Sequence, residues 1–188
     1  MKAYFENLAA LASNAVATMG DDIARAQALV ADAALSGRTT FTFGNGGSAT
    51  QAQHLTAELV VRYKDDRPAL PSIALNSDIA ILTACTNDFD YSVVFSRQIE
   101  ALARKGDVAF GITTSGKSPN VLKALTAAKA RGLSTIFLTG EKGRAEAASW
   151  DIGIVAPSLE TSHVQELHLA AIHLICRFVD EERARRSS

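Results

Sequence analysis

With 19 basic and 20 acidic side chains in 188 residues, a formal net charge of −1 and a pI near 6.4, the chain has no global attraction for nucleic acid or acidic membranes. Any anion site has to be built locally. The length suits one domain and is enough to bury roughly 70% of the unfolded surface, while 47% hydrophobic residues and a mean hydropathy of +0.08 hint at apolar surface between subunits.

The first twenty residues interrupt their apolar positions with Glu6, Asn7, Ser13 and Asn14, unlike the apolar core of a signal peptide. No run approaches a membrane span, so the expected compartment is the cytoplasm. Residues 3–19 and 21–36 read as two Ala-rich helices, with Asp21 or Asp22 available to cap the second. From there β-type runs at 39–43, 72–75, 108–112, 134–138 and 152–155 alternate with helical stretches at 48–63, 78–85, 92–104, 119–131, 143–148 and 162–184. Strand followed by helix, repeated, predicts an α/β fold: a parallel sheet with helices on both faces and ligands at the carboxyl ends of its strands. The Arg-rich end, EERARRSS, reads as a frayed helical tail. Cys85 and Cys176 lie far apart with no CxxC, so neither a disulfide framework nor a thiolate zinc site is indicated.

Three segments fall where that rule puts a site. The first is Gly44-Asn45-Gly46-Gly47-Ser48, a glycine turn leading into a helix that carries His54, Glu58 and Arg62 at four-residue spacing. Glycines let the backbone approach a ligand, and the helix N-terminus favours an anion. The row of three suits a metal ligand, a proton acceptor or an anion clamp, or equally a solvated charge row. After the second β-run, Asn76-Ser77-Asp78 reads as a helix cap and Asn87-Asp88 as a polar turn.

The second segment, Gly111 to Pro119 (GITTSGKSP), matches the string of a nucleotide-binding P-loop. Ser118-Pro119 however reads as an N-cap with proline at N1, and no later strand ends in an Asp suited to magnesium. What it offers is hydroxyls around a helix N-terminus, from Thr113, Thr114, Ser115 and Ser118, either for a phosphate monoester or as a solvated capped turn. The third opens a long helix, where Ser162 and Gln165 fit a capping box and His173 lies in an apolar stretch that predicts burial with a partner. His163 and His168 receive no role.

GNGGS followed by AQHLTAELVVRY, then LNSDIAILTACTNDFDYSVVFSRQ, GITTSGKSPNVLKAL and SHVQELHLAAIH together resemble the phosphoheptose isomerases, the sedoheptulose 7-phosphate isomerases of the sugar isomerase (SIS) domain superfamily, over nearly the whole chain. The resemblance implies one SIS domain over residues 1–188, a flavodoxin-like three-layer α/β/α sandwich with a five-stranded parallel sheet. It implies a homotetramer to which the helices at 3–36 contribute. It also implies one zinc ion per subunit on His54, Glu58, Gln165 and His173. Substrate contacts carry over to Asn45, Gly46, Gly47, Ser48, Glu58, Asn87, Asp88, Thr113, Thr114, Ser115, Ser118 and Gln165, with Glu58 and His173 catalytic. The sequence departs from the family at Gln51 (usually Asp), Thr86 (usually Gly or Ala), Thr113 (usually Ser) and Lys117 (usually Asn). A non-catalytic relative that binds the replication initiator DnaA shares the fold but lacks the residues matching Glu58 and His173, which favours the enzyme.

Overall fold

A computed structural model describes residues 1–187. Five strands, β1 (Thr40–Gly44), β2 (Ser72–Ala74), β3 (Val108–Thr113), β4 (Ser134–Gly140) and β5 (Ile152–Ala156), form one sheet in the order β2-β1-β3-β4-β5. Every pairing is parallel. Helices α1 (Lys2–Leu35), α2 (Gly47–Val60), α3 (Ile79–Asp88), α4 (Val94–Leu102), α5 (Pro119–Ala130), α6 (Arg144–Ala147) and α7 (Thr161–Ser187) supply the outer layers. The three-layer sandwich is therefore as the sequence implies.

Residue alternation along the strands divides the core. Val108, Phe110 and Ile112 pack with Ala26 and Val30 of α1, Leu55 and Leu59 of α2, and Ile172 and Ile175 of α7. Phe41, Phe43, Ala109 and Phe137 face the other way, against Phe95 and Ile99 of α4 and Val121 and Leu125 of α5. Successive strand side chains point to opposite faces, so a run apolar at every position is covered on both. Each fully buried Phe contributes roughly 1.5–3 kcal/mol.

The strand order reverses between β1 and β3, whose carboxyl ends lie side by side with Gly44 opposite Ile112. Open parallel sheets bind ligands at such a reversal. The glycine turn that follows β1 and the hydroxyl loop that follows β3 both emerge there.

Three local expectations change. The N-terminal segment is one helix, α1, running through Gly20; docking against α7, including Tyr4 Oη donating to Glu166 Oε1 at 2.8 Å and Gln27 Nε2 to the Leu174 carbonyl at 2.9 Å, outweighs the roughly 1 kcal/mol cost of an interior glycine. Asp22 accepts from Arg25 Nη1 instead of capping. Asn87-Asp88 closes α3 rather than forming a turn, while Asp78 is its N-cap, accepting from the Ile81 N–H. The tail is helical through Ser187, laced by Glu182 with Arg185 and Arg186 and tied back by Arg186 to Asp32; its last residue, Ser188, lies outside the described residues.

Candidate active site

Gly44 is obligatory at the end of β1, because a Cβ there would sit 2.8 Å from the Ile112 carbonyl oxygen and 2.9 Å from Ser48. Gly46 has φ +54, a region costly for residues with a Cβ. It is the N-cap of α2 and supplies no side-chain cap; the Ser48 N–H turns back to the Asn45 carbonyl and the Ala49 N–H to that of Gly46. Gly47 faces Gln165, whose side-chain amide occupies the place that a Gly47 Cβ would take. Close approach therefore brings α7 onto the turn.

Beyond β3, Thr113 Oγ1 lies 2.8 Å from Ser118 Oγ and 3.4 Å from Ser115 Oγ, with Thr114 half-buried between them. Ser118 is the N-cap of α5 with Pro119 at N1, as expected, but makes no side-chain cap bond; its hydroxyl faces the loop. Thr139 Oγ1 donates to the Thr113 carbonyl at 2.7 Å from beneath, so β4 supports the hydroxyl cluster. The arrangement suits a phosphate monoester.

About two turns further along α2, His54 Nε2 stands 3.0 Å from His173 Nε2 and 3.6 Å from Glu58 Oε1. Two imidazoles and a carboxylate from α2 and α7 thus meet. His173 is half-buried rather than enclosed, because α7 is not covered all round at this level: its neighbour Leu174 is 44% exposed. The fully buried imidazole of this helix is His168, at 0%. Burial, reinforced by the His54 ring and opposed by Glu58, holds the His173 pKa below the ordinary histidine value, which keeps it a neutral proton acceptor or ligand at neutral pH.

The separations of 3.0 and 3.6 Å from His54 lie either side of the roughly 3.3 Å edge of a tetrahedral site with ligands at about 2.0–2.1 Å, and imidazole and carboxylate are both zinc donors by chemistry. Among the described residues no three His, Cys, Asp or Glu side chains already converge on a metal position. The Gln165 amide is at Gly47, and the capping box with Ser162 does not form, since Ser162 Oγ donates to Glu160.

Arg62 does not join the row. α2 ends at Val60, and Arg62 pairs with exposed Asp66. Asn87 and Asp88 are exposed at the end of α3, where Asn87 Nδ2 donates to Asp88 Oδ1. Residues that sequence reasoning passed over hold the site together. Arg67 donates to the Glu58 and Leu59 carbonyls at 2.6 and 2.8 Å and pairs with Asp180 at 2.7 Å, both side chains being nearly inaccessible. Asn120 and Tyr91 hydrogen-bond Asn45. Asp180 opens the charged run that ends α7 and so reads from sequence as one more solvated charge; nothing local marks Asn120.

Comparison with known proteins adds identity to this geometry. The SIS domain profile matches residues 3–140. The phosphoheptose isomerase of Paramagnetospirillum magneticum is 51% identical over 154 residues, 82% of this chain and 80% of that protein. The chain belongs to the phosphoheptose isomerase family of SIS-domain proteins. Two solved phosphoheptose isomerases share the fold, that of Neisseria gonorrhoeae with a TM-score of 0.86 and 35% identity, and that of Francisella tularensis with 0.89 and 32%. Each comparison spans 96% of both chains. Among this chain's own departures from the phosphoheptose isomerase pattern, Gln51 acts between helices: its Nε2 donates to the Gln165 carbonyl at 2.6 Å, which fixes α7 against the turn. Lys117 is exposed, its N–H donating to Ser115 Oγ, and the Thr86 hydroxyl donates to the Leu82 carbonyl within α3.

Proposed function

We propose that this chain interconverts sedoheptulose 7-phosphate and D-glycero-D-manno-heptose 7-phosphate through an enediol, the first step toward a nucleotide-activated heptose, and that it does so in the cytoplasm as a homotetramer. The observation that carries the reading is the meeting of His54, Glu58 and His173 beside the strand reversal where the glycine turn and hydroxyl loop emerge. The sequence relatives that carry the phosphoheptose isomerase name support it.

In this reading the hydroxyls of Thr113, Thr114, Ser115 and Ser118 with the N-terminus of α5 anchor the phosphate, and Asn45, Gly46, Gly47 and Ser48 line the sugar, with Asn87 and Asp88 approaching from α3. Glu58, with 19% of its side chain accessible, takes the C1 proton, which is acidic because it lies α to the C2 carbonyl, and returns it to C2. His173, held neutral, passes a proton between the O1 and O2 oxygens, so that the ketose becomes an aldose with no net gain or loss of protons. A zinc ion held by His54, Glu58, Gln165 and His173 would polarise the carbonyl and the adjacent hydroxyl. A purely initiator-binding role would leave Glu58 and His173 without a use.

The test is incubation of the purified chain with sedoheptulose 7-phosphate, with and without added zinc, following aldose phosphate by NMR. Turnover is expected, and Glu58→Gln should lower kcat by about 10²–10⁴-fold while the protein stays folded; near wild-type turnover in that variant assigns the base elsewhere. Substituting His54 or His173 by Ala should lower bound zinc in elemental analysis, and unchanged metal content rejects this ligand set.

A further inference from the structure

The Asn45 side chain is held in one sense by a network whose direction is set by a single backbone group. The Val121 N–H lies 3.0 Å from Asn120 Oδ1 and can only donate, so the acceptor there is the amide oxygen. Asn45 Nδ2 then donates to Asn120 Oδ1 at 2.9 Å, and Asn120 Nδ2 donates back to Asn45 Oδ1 at 2.8 Å. Tyr91 Oη, 2.9 Å from the same oxygen, donates as well. Asn45 Oδ1 has two lone pairs and both are taken, which leaves one N–H as the only free hydrogen-bonding capacity of this side chain.

We infer that Asn120 and Tyr91 are positioning residues of the isomerase site, which lock the Asn45 amide so that it meets the sugar phosphate solely as an N–H donor; this rests on the isomerase reading above. The group recognised at Asn45 is then an oxygen with a free lone pair, a hydroxyl, carbonyl or phosphate oxygen of the substrate. The reciprocal amide pair also bridges the turn after β1 to the first turn of α5, two residues beyond the Ser118 hydroxyl, so it sets the distance between the sugar-lining turn and the phosphate loop. Asn120 is 1% exposed, and the 91–93 turn that carries Tyr91 is seated on α5 by Lys123 Nζ donating to Ser92 Oγ at 2.6 Å, while Asp90 caps the turn itself by accepting from the Ser92 N–H at 2.8 Å. Fixing such a bridge matters because displacements of about 1 Å at a reacting centre can cost on the order of a hundredfold in rate.

Steady-state kinetics with sedoheptulose 7-phosphate test this on Asn120→Asp and Tyr91→Phe from pH 6 to 8. A carboxylate at position 120 puts an acceptor against Asn45 Oδ1, and protonation of that buried carboxyl restores the donor. Charged groups on the segments around Asn120 include Lys117 on the loop before α5, Lys123 on α5, engaged with Ser92, Asp90, engaged at the turn, and Arg97 and Glu100 on α4. Asn120→Asp is expected to lower kcat/KM by about tenfold at pH 8, with the ratio to wild type recovering toward pH 6. Tyr91→Phe, at an exposed position that does not threaten folding, is expected to lower it about threefold. A ratio for Asn120→Asp that does not change with pH in an active enzyme overturns the inference. If that variant does not fold, Tyr91→Phe decides alone, and wild-type kinetics overturn it. A wild-type chain that turns nothing over rejects the isomerase reading itself and this inference with it.

Discussion

Burial pushes the His168 imidazole down to a pKa of about 4, against a small opposing effect of the Thr139 backbone. The sign of the consequence follows from which state takes up the proton. Below about pH 6.5 the unfolded chain protonates this histidine and the folded chain does not, so its contribution is complete above pH 6.5 and is lost between pH 6.5 and about 4. The loss amounts to about 3 kcal/mol at the acid end, and His173, shifted the same way, adds to it. Denaturant unfolding at pH 7.5 and pH 5 should show the fall, and His168→Leu should flatten most of it; an unchanged acid slope in that variant places the titration elsewhere. Cys176, its thiol raised to about 12 mainly by burial, should resist alkylation in the folded protein. At this scale the sequence named His54, Glu58 and His173 from spacing and motif, yet it predicted His173 as the enclosed ring where the structure encloses His168, because burial along one helix depends on what packs against each residue.

Between elements, the decisive contact is the one that pins the end of α2 to α7. Arg67 lies beyond α2 and Asp180 in the last third of α7, with side-chain exposures of 1% and 4%. The carboxylate also accepts the N–H groups of Lys64 and Asp65, so the turn after Glu58 is folded around it. Asp180→Ala leaves a buried guanidinium without its partner and is expected to cost about 3–5 kcal/mol, read as a lower denaturant midpoint. Activity should fall more steeply than stability alone requires, because the guanidinium orients the Glu58 carbonyl; equal loss of both would confine Arg67 to a structural part. Strand and helix positions were legible from hydrophobic period and turn chemistry. The exceptions have local causes: Gly20 suggested a break that docking on α7 overrides, and the hydroxyl of Ser118 turned to Thr113 rather than to the helix N-terminus.

For the whole molecule, α1 and α7 leave an apolar groove of about 330 Å³ lined by Val16, Gly20, Leu167 and Leu174. Val16 is 78% exposed and, on the first turns of α1, Phe5 is 63% exposed. Covering these residues is favourable at roughly 25 cal/mol per Å², which supports the proposed tetramer. Val16→Glu should shift the species seen by sedimentation velocity toward smaller assemblies; an unchanged distribution removes this groove from the interface.

The sequence by itself determined the alternation of strand and helix, the glycine turn, the hydroxyl loop and the family, because each is written in residues close together along the chain. Only the tertiary structure decided that β1 and β3 are neighbours at the strand reversal, that His54 meets His173 across 119 positions, and that Asn120 and Arg67 hold the site. Those contacts depend on how packed helices cross and on which buried polar groups must find partners, and such constraints act through space rather than along the chain.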